Sequence, residues 1–223
     1  MPDDGVSLGT IDIAAGTVKP LSLPREEGLL TLEPGRIVEL VGPPGMGLTR
    51  LGLKLLAPHS RIAPVVVVDT RGWISPQAAW EVGVIAERLI VVRGEDFRLW
   101  PRVVGALLEG VRAVYAEVPD YVGESQLRGL AARARARSSA LVLRSMGRGL
   151  PSGIARLRLR AVAVTWEGAD QGHGRLARRR LMLEASGKGV AGMPRLIEVE
   201  DAGTDALRVV SDVVVDQVGR PAG

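Results

Sequence analysis

The stretch "VELVGPPGMGLTRLGLKLL", residues 38 to 56, has the layout of a phosphate-binding loop. An apolar strand leads into glycines, and the glycines lead into a helix with apolar periodicity. In the motif G-x-x-x-x-G-K-[ST], backbone N–H groups surround phosphates while a lysine reaches the outer ones. Gly42, Gly47 and Thr49 fit this spacing, with Gly45 between the two motif glycines, but Leu48 stands at the lysine position. The motif predicts either a nucleotide site or only the tight strand-to-helix turn of one.

Leu48 makes phosphoryl transfer a poor interpretation of this loop. The transition state needs positive charge at the leaving oxygens and an oriented water, and leucine supplies neither charge nor a hydrogen-bond donor. Arg50 is no substitute, because two positions along a helix correspond to a rotation of about 200°. We therefore expect no ATPase activity and no bound cofactor.

The remaining chemistry-bearing residues do not form a recognisable catalytic or metal-binding set. The chain has no cysteine, and its two histidines, His59 and His173, have no acidic pair at ligand spacing. Asp69 follows an apolar run and could lie at the end of a strand, but an ion pair with Arg71 or a helix-capping role is the simpler interpretation. We expect no metal site and no enzyme.

Composition and segment properties predict a soluble, cytoplasmic protein. Apolar residues make up 46% of the 223 residues, whereas aromatic residues make up only 3%, so aliphatic side chains must fill the core. The first residues lack the basic start and apolar stretch of a secretory signal. No run of about 18 apolar residues appears, so neither a membrane span nor a membrane partner is expected.

Charge is distributed unevenly along the chain. Residues 128 to 180 contain thirteen arginines and two acidic residues, a net charge of +11, so the rest of the chain carries −7 of the total of +4. Such asymmetry is typical of proteins that bind polyanions, although a general preference for arginine over lysine is an alternative explanation. The candidate contacts with single-stranded DNA are Arg133, Arg137, Arg156, Arg158, Arg160, Arg178, Arg179 and Arg180.

Strands and helices alternate up to Pro151, which predicts a largely parallel sheet with right-handed crossovers. The expected elements include a strand at "LTLE", a buried strand over Ile37–Val41, a helix over 49–56 stopped by Pro58, and a helix over "SPQAAWEVGV" capped by Ser75. After Pro151 the alternation has period two, which predicts an antiparallel hairpin that extends the sheet. The expected organisation is an N-terminal segment over 1–30, a core domain over 31–200, and an acidic strand and tail over 201–223.

This order of elements resembles the RecA-like ATPase core over about residues 30 to 200. "VVVVDTRGWISPQAAWEVGV" resembles the segment that carries the water-activating glutamate, and "AVYAEVP" stands where the Walker B strand is expected. "LVLRSM" is similar to the strand that ends in a nucleotide-sensing glutamine. "LEASGKGVAGMPRLIEVE" resembles the lysine-bearing turn and the closing strand. The resemblance implies an α/β fold with a mostly parallel sheet flanked by helices.

At the corresponding positions the nucleotide chemistry of that family is eroded. Arg71 stands at the glutamate position, Glu117 replaces the Walker B aspartate, and Arg144 with Ser145 replaces the sensing pair. Gly42, Gly45, Gly47, Thr49 and Glu117 are what the resemblance leaves of a degenerate nucleotide site.

Within this family the chain resembles the ImuA group, especially the shortened ImuA-prime form, through the pattern "SSALVLRS…ARLRLRA…RRRLMLEASGKG…MPRLIEVE". The resemblance implies an accessory protein of the SOS-induced mutasome in translesion synthesis. Its partner would be an ImuB-like, polymerase-related protein, with single-stranded DNA as a further ligand. The alternatives are a SulA-like inhibitor of cell division and a nucleotide-dependent, DNA-binding regulator.

Three residues are candidates for a protein-binding surface on the degenerate nucleotide edge. Leu48 suits a dry contact, although it could equally pack inside its own domain, and Trp73 follows Gly72 in a loop where an aromatic anchor is expected to be exposed. Lys188 falls on the turn that, in RecA filaments, reaches the neighbour's nucleotide. A homodimer is compatible with the sequence, whereas long filaments are not expected, because residues 1 to 30 show no convincing amphipathic helix.

Overall fold

The computed structural model describes residues 30–94, 97–170, 173–201 and 207–214, in which strands and helices alternate. The strands are β1 Ile37–Val41, β2 Val65–Val68, β3 Leu89–Val92, β4 Ala113–Glu117, β5 Ala140–Ser145, β6 Leu157–Asp170, β7 His173–Ser186, β8 Arg195–Asp201 and β9 Leu207–Val214. The α-helices are α1 Leu48–Ser60, α2 Pro76–Trp80, α3 Trp100–Gly110 and α4 Glu124–Ala136. Short 3-10 helices lie at Ala86–Arg88, Phe97–Leu99 and Lys188–Val190.

These strands form one sheet in the order β3-β2-β4-β5-β1-β6-β7-β8-β9. The pairs from β3 through β6 are parallel, whereas β6, β7, β8 and β9 pair in antiparallel fashion. The structure confirms the predicted parallel sheet and its antiparallel hairpin, which consists of β6 and β7. Parallel strands need crossovers whereas antiparallel strands need only a tight turn, so the connection length in the sequence distinguishes the two parts.

Two apolar clusters cover the two faces of the parallel strands. One cluster joins α1 and α2 to side chains such as Val38 and Leu40, and it continues onto β6 and β7 through Leu159 and Leu181. The other joins α3 and α4 to side chains such as Ile37. Successive residues of a strand point to opposite faces, which explains why neighbours in β1 belong to different clusters.

The carboxyl ends of the parallel strands meet at one edge, here called the loop edge. The glycine loop follows β1, the segment 69–75 follows β2, and Glu117 and Ser145 end β4 and β5. Ligands of open parallel sheets bind at such an edge, so the candidate residues near these strand ends are placed close together.

Three local predictions were wrong. Residues 31–33 do not form a strand; the Leu32 carbonyl instead accepts a 2.6 Å hydrogen bond from His59 Nε2. Helix α1 continues past Pro58 to Ser60, and α2 ends at Trp80, because Gly83 has a φ of 90° and its N–H bonds back to the Trp80 carbonyl. Proline position and helix periodicity alone therefore misplace these helix ends.

The predicted terminal segments fall mostly outside the described residues. Of residues 1–30 only residue 30 is described, and of residues 201–223 the structure describes Asp201 and strand β9. The strand expected after Asp201 is therefore present as β9. Among the helices of the described part, none combines the length and apolarity needed to cross a lipid bilayer.

Candidate functional site

The glycine loop makes the tight turn between β1 and α1. Gly42, Gly45 and Gly47 have φ values of 151°, 85° and 74°, a region that favours glycine. A Cβ atom on Gly42 would lie 3.1 Å from the Ala161 side chain and 3.2 Å from the Leu48 side chain. Gly47 caps α1 without a side-chain hydrogen bond. The glycines are therefore required by the turn itself, whether or not a ligand binds.

Leu48, at the lysine position, is only 1% exposed and packs in the core of its own domain. This burial supports the alternative that Leu48 packs inside its own domain, and it argues against Leu48 as a partner contact. Next to it, Thr49 is half-buried, and its hydroxyl lies 3.5 Å from the hydroxyl of the buried Tyr115, which donates to it. Burial raises the pKa of Tyr115, so the phenol remains a neutral donor.

Arg144, near the end of β5, donates side-chain hydrogen bonds to the glycine loop. Its side chain is 2% exposed, and Nη2 donates to the carbonyls of Gly42 and Pro43 at 2.6 and 3.1 Å. Nη1 donates to the carbonyls of Leu40, at 3.3 Å, and of Ser145. Burial lowers the pKa of Arg144, although an arginine remains charged at neutral pH. The loop carbonyls thus face a positive charge that belongs to the protein.

One loop amide is also engaged within the chain, because the Gly42 N–H donates to the Ser145 carbonyl at 3.2 Å. A phosphate-binding loop directs its N–H groups toward the ligand. In this chain the first motif glycine instead ties the loop to β5.

Glu117, at the Walker B position, is 1% exposed and accepts two side-chain hydrogen bonds. Trp73 Nε1 donates to Oε1 at 2.7 Å, and Thr70 Oγ1 donates to Oε2 at 3.2 Å. Burial raises the pKa of Glu117, while the bond from Trp73 opposes that shift. The carboxylate therefore fixes the loop after β2 instead of standing free for a metal or a water.

Trp73 is 47% exposed, which confirms the expectation of an exposed tryptophan in this loop. The Arg71 guanidinium lies 5.0 Å from the centroid of its ring, a cation–π distance. Trp80 and Trp166 are also about half exposed, at 50% and 48%, whereas Trp100 is buried.

Asp69 shapes the loop that carries Trp73. Its buried carboxylate accepts hydrogen bonds from the Gly72 and Ile74 N–H groups at 2.9 and 3.1 Å. It also forms a 2.9 Å ion pair with Arg93, whereas the expected partner was Arg71. This network gives Asp69 a structural role.

Arg179 of β7 reaches back to the glycine loop. Its guanidinium lies so close to Gly47 that a Cβ atom there would stand 2.6 Å from Cζ. Asp201 is its ion-pair partner, and the Trp166 ring centroid lies 5.3 Å from Cζ. Arg50 pairs with the same carboxylate of Asp201 at 2.9 Å. The antiparallel strands therefore form one wall of the loop edge.

Between the glycine loop, α2 and the end of β5 lies a cavity of about 420 Å³, here called the loop-edge cavity. Its size lies within the range of small-molecule and side-chain pockets. It is lined by Pro44, Gly45, Met46, Gly47, Leu48, Thr49, Arg50, Leu53, Trp73, Ile74, Ser75, Ala78, Arg144, Met146 and Arg179.

The eight arginines predicted to contact DNA separate into groups at different places. Arg133 and Arg137 pair with Glu109 of α3, and Arg158 pairs with the buried Glu39 at 2.6 Å. Arg156 and Arg160 are exposed without an acidic partner among the described residues. The pairs of the hairpin arginines with acidic residues are Arg178 with Glu167 and Glu200, Arg179 with Asp201, and Arg180 with Glu167, Glu198 and Glu200. Six of the eight candidate arginines are thus paired with acidic residues of the same chain.

Lys188 is exposed in a 3-10 helix at the opposite edge of the sheet from the glycine loop. The neighbouring Gly189 N–H donates to the Arg156 carbonyl, just before β6 begins beside Val38 at the start of β1. Trp73 and Lys188 therefore do not belong to one continuous surface. In a head-to-tail association, one edge of each copy contacts the opposite edge of the next copy.

Sequence reasoning missed how Arg144, Arg179 and Met146 line the cavity. Arg144 did carry a signal, because a charged residue inside the apolar strand "LVLRSM" must find buried partners. Arg179 carried none, because its contact with Gly47 depends on how β7 lies against the loop. Within the described ranges, no group of three or more histidine, aspartate or glutamate residues could hold a metal ion.

Comparison with known proteins adds a family and a fold. The family model of the MT3502 N-terminal domain matches residues 28–148. A search of curated protein sequences found no match. A solved structure described as the RadB recombinase superposes with a TM-score of 0.54 over 81% of this chain and 93% of that chain, at 19% identity. The chain therefore has the RecA-like α/β fold that its motifs predicted.

Removing the Arg144 charge should destabilise the domain. Arg144→Met leaves the Leu40, Gly42 and Pro43 carbonyls without their donor, and bonds to charged groups contribute about 1.5–3 kcal/mol each before relaxation. We expect a loss of about 2–4 kcal/mol in the free energy of unfolding, measured by urea denaturation. The control is Arg148→Met, in an exposed loop, which should leave that free energy within error. Equal stability of the two variants would contradict a clamping role for Arg144.

Proposed function

The chain belongs to the MT3502 N-terminal domain family, and we propose that it is a non-catalytic, RecA-like accessory protein of DNA-damage-induced translesion synthesis. In this proposal its loop edge binds a protein partner where an ATPase would bind nucleotide. The partner is an ImuB-like, polymerase-related protein, and single-stranded DNA is a weaker second ligand. The ImuA-like role rests on the sequence resemblance described above.

The observation that carries the proposal is that three positions of the nucleotide motif make internal contacts. Leu48 is buried, Arg144 occupies the loop carbonyls, and Glu117 is bonded to Trp73. Phosphoryl transfer relies on charges positioned toward a ligand, and here those positions are directed toward the protein itself.

Exposed aromatic residues favour a protein partner at this edge. Trp73 stands half exposed beside the loop-edge cavity, and Trp166 stands on the wall formed by the antiparallel strands. Tryptophan and arginine dominate the binding energy of protein interfaces, particularly beside pockets that exclude water. The internal pairing of the hairpin arginines correspondingly reduces the support for a regulator that acts mainly on DNA.

The proposal predicts no ATP turnover. Phosphate release with ATP and Mg²⁺ should stay at background with or without single-stranded DNA. Leu48→Lys should not restore turnover, because the new lysine would start from a core position and Glu117 would remain bonded to Trp73. DNA-stimulated turnover that disappears in Thr49→Ala would instead identify a working nucleotide site.

Partner binding should depend on Trp73. With an ImuB-like protein as the immobilised partner, Trp73→Ala should weaken binding about tenfold or more, as expected for an interface anchor. Trp80→Ala is the matched control, since Trp80 is exposed to a similar extent but does not line the cavity. Lys188→Glu, at the opposite edge, should weaken self-association. Thermal melts verify that each variant is folded.

Unchanged binding in a folded Trp73→Ala variant would remove the loop edge from the interface. Binding of a tubulin-like division protein instead of the ImuB-like protein would favour the SulA-like alternative.

DNA binding, where present, should depend on the exposed arginines only. Arg156→Ala with Arg160→Ala should reduce binding of labelled single-stranded DNA and flatten its salt dependence, because phosphate contacts release counterions. Arg158→Ala should instead lower stability, since it leaves the buried Glu39 without its ion pair. Fluorescence anisotropy at low and moderate salt, with urea denaturation alongside, separates these effects. Salt-independent binding would contradict a phosphate contact.

A further inference from the structure

We infer that the loop-edge cavity binds a partner segment that inserts a large apolar side chain and places a carboxylate beside Arg71. This inference rests on the proposed function and specifies the chemistry of the partner at that site. The cavity has an apolar lining, lies beside an arginine without a direct acidic partner, and adjoins a second cavity.

The cavity interior is mainly apolar and adaptable. Met46, Leu53, Ile74, Ala78 and Met146 contribute apolar lining. Methionine side chains adjust to different shapes because they are unbranched and flexible. The cavity volume of about 420 Å³ is larger than a small cluster of water molecules needs. It accommodates a tryptophan, phenylalanine or leucine side chain. The interior therefore suits an inserted apolar side chain.

Some arginines around the cavity are paired with carboxylates, and the others leave it a positive charge. Arg50 and Arg179 share the Asp201 carboxylate, and Arg50 also contacts Glu81. By contrast, Arg144 donates only to carbonyl oxygens among the described residues. Arg71 is exposed against the Trp73 ring and forms no direct ion pair within the described part of the chain, while its charge acts at longer range on the buried Glu117 carboxyl. A carboxylate on the partner would complement this edge.

A second cavity continues the edge beyond Met146. This cavity of about 210 Å³ lies between the ends of β4 and β5 and shares Met146 with the first. Arg148, on its border, is exposed and has no acidic partner among the described residues. Because Asp120 and Glu124 line this second cavity beside Arg148, it extends the space for a bound segment, whereas the complementarity to a carboxylate lies at Arg71.

A protein segment fits this edge better than a nucleic acid. A phosphate backbone would meet Asp201 and Glu81, which already hold Arg50 and Arg179 in place. The face of each exposed tryptophan at this edge is approached by an arginine, Trp73 by Arg71 and Trp166 by Arg179, which limits stacking of bases. An apolar side chain needs only the cavity between them.

The test is selection from a phage-displayed library of random twelve-residue peptides on the immobilised, full-length chain. Binding of the selected peptides is then measured on Ala78→Trp, which fills the cavity, and on Arg71→Glu, which reverses the charge at its border. Arg135→Glu is the matched control, because Arg135 is equally exposed on α4 without an acidic partner among the described residues. Thermal melts establish folding, and Arg71→Glu keeps the test informative if Ala78→Trp fails to fold.

We expect the selected peptides to combine an aromatic or large aliphatic residue with aspartate or glutamate. Arg71→Glu should weaken them about tenfold or more, Ala78→Trp should abolish binding, and Arg135→Glu should leave it unchanged. The inference is overturned by peptides that bind all variants equally, by peptides with net positive charge, by the absence of enrichment, or by peptides displaced by the oligonucleotide dT20. The proposed function is tested separately: ATP turnover, or no binding of the ImuB-like partner, would contradict it. Neither measurement depends on the selected peptides.

Discussion

The buried guanidinium of Arg144 is the contact on which the loop edge depends. A tight strand-to-helix turn exposes carbonyl oxygens that need donors, and in the interior a carbonyl without a donor is costly. Arg144 meets this need for Leu40, Gly42 and Pro43 from a neighbouring strand. The glycine loop can thus keep its shape without a ligand, and α1 begins at the position which that shape sets.

The charge of Arg144 also limits what else the edge can hold. Burying a cation without a carboxylate is costly, and four hydrogen bonds from Arg144 to carbonyl oxygens offset part of that cost, whereas its Nε has no partner among the described residues. Glu117 is the nearest acidic candidate, yet it is held by Trp73 and Thr70 instead. Positions that in the resembling ATPases serve nucleotide chemistry here hold two neighbouring loops in place. These positions therefore make internal contacts that keep the edge ordered.

Whether a contact can be predicted from the sequence depends on how far apart its two residues lie along the chain. Alternating strands and helices and the period-two hairpin are local patterns, so the largely parallel sheet, its antiparallel hairpin and the tight glycine turn were predictable. The contacts of Arg144 join residues more than 100 positions apart, and the contact between Arg179 and Gly47 depends on the position of β7. Local rules also misplaced the end of α1, because tertiary packing tolerates Pro58 inside the helix.

The arginine-rich stretch shows why charge counted along a chain does not predict charge on a surface. The hairpin arginines lie beside Glu198, Glu200 and Asp201 of β8, an arrangement that cancels much of the excess within three neighbouring strands. Among the described residues, exposed arginines of this stretch without an acidic partner are Arg135 on α4, Arg156 and Arg160 at the start of β6, and Arg148 at the loop edge, where Arg71 is also exposed. Since paired exposed charges contribute little to long-range attraction, the sites that select a partner are those where positive charge remains unbalanced beside apolar surface. The loop edge is the place in the described structure where these two properties meet.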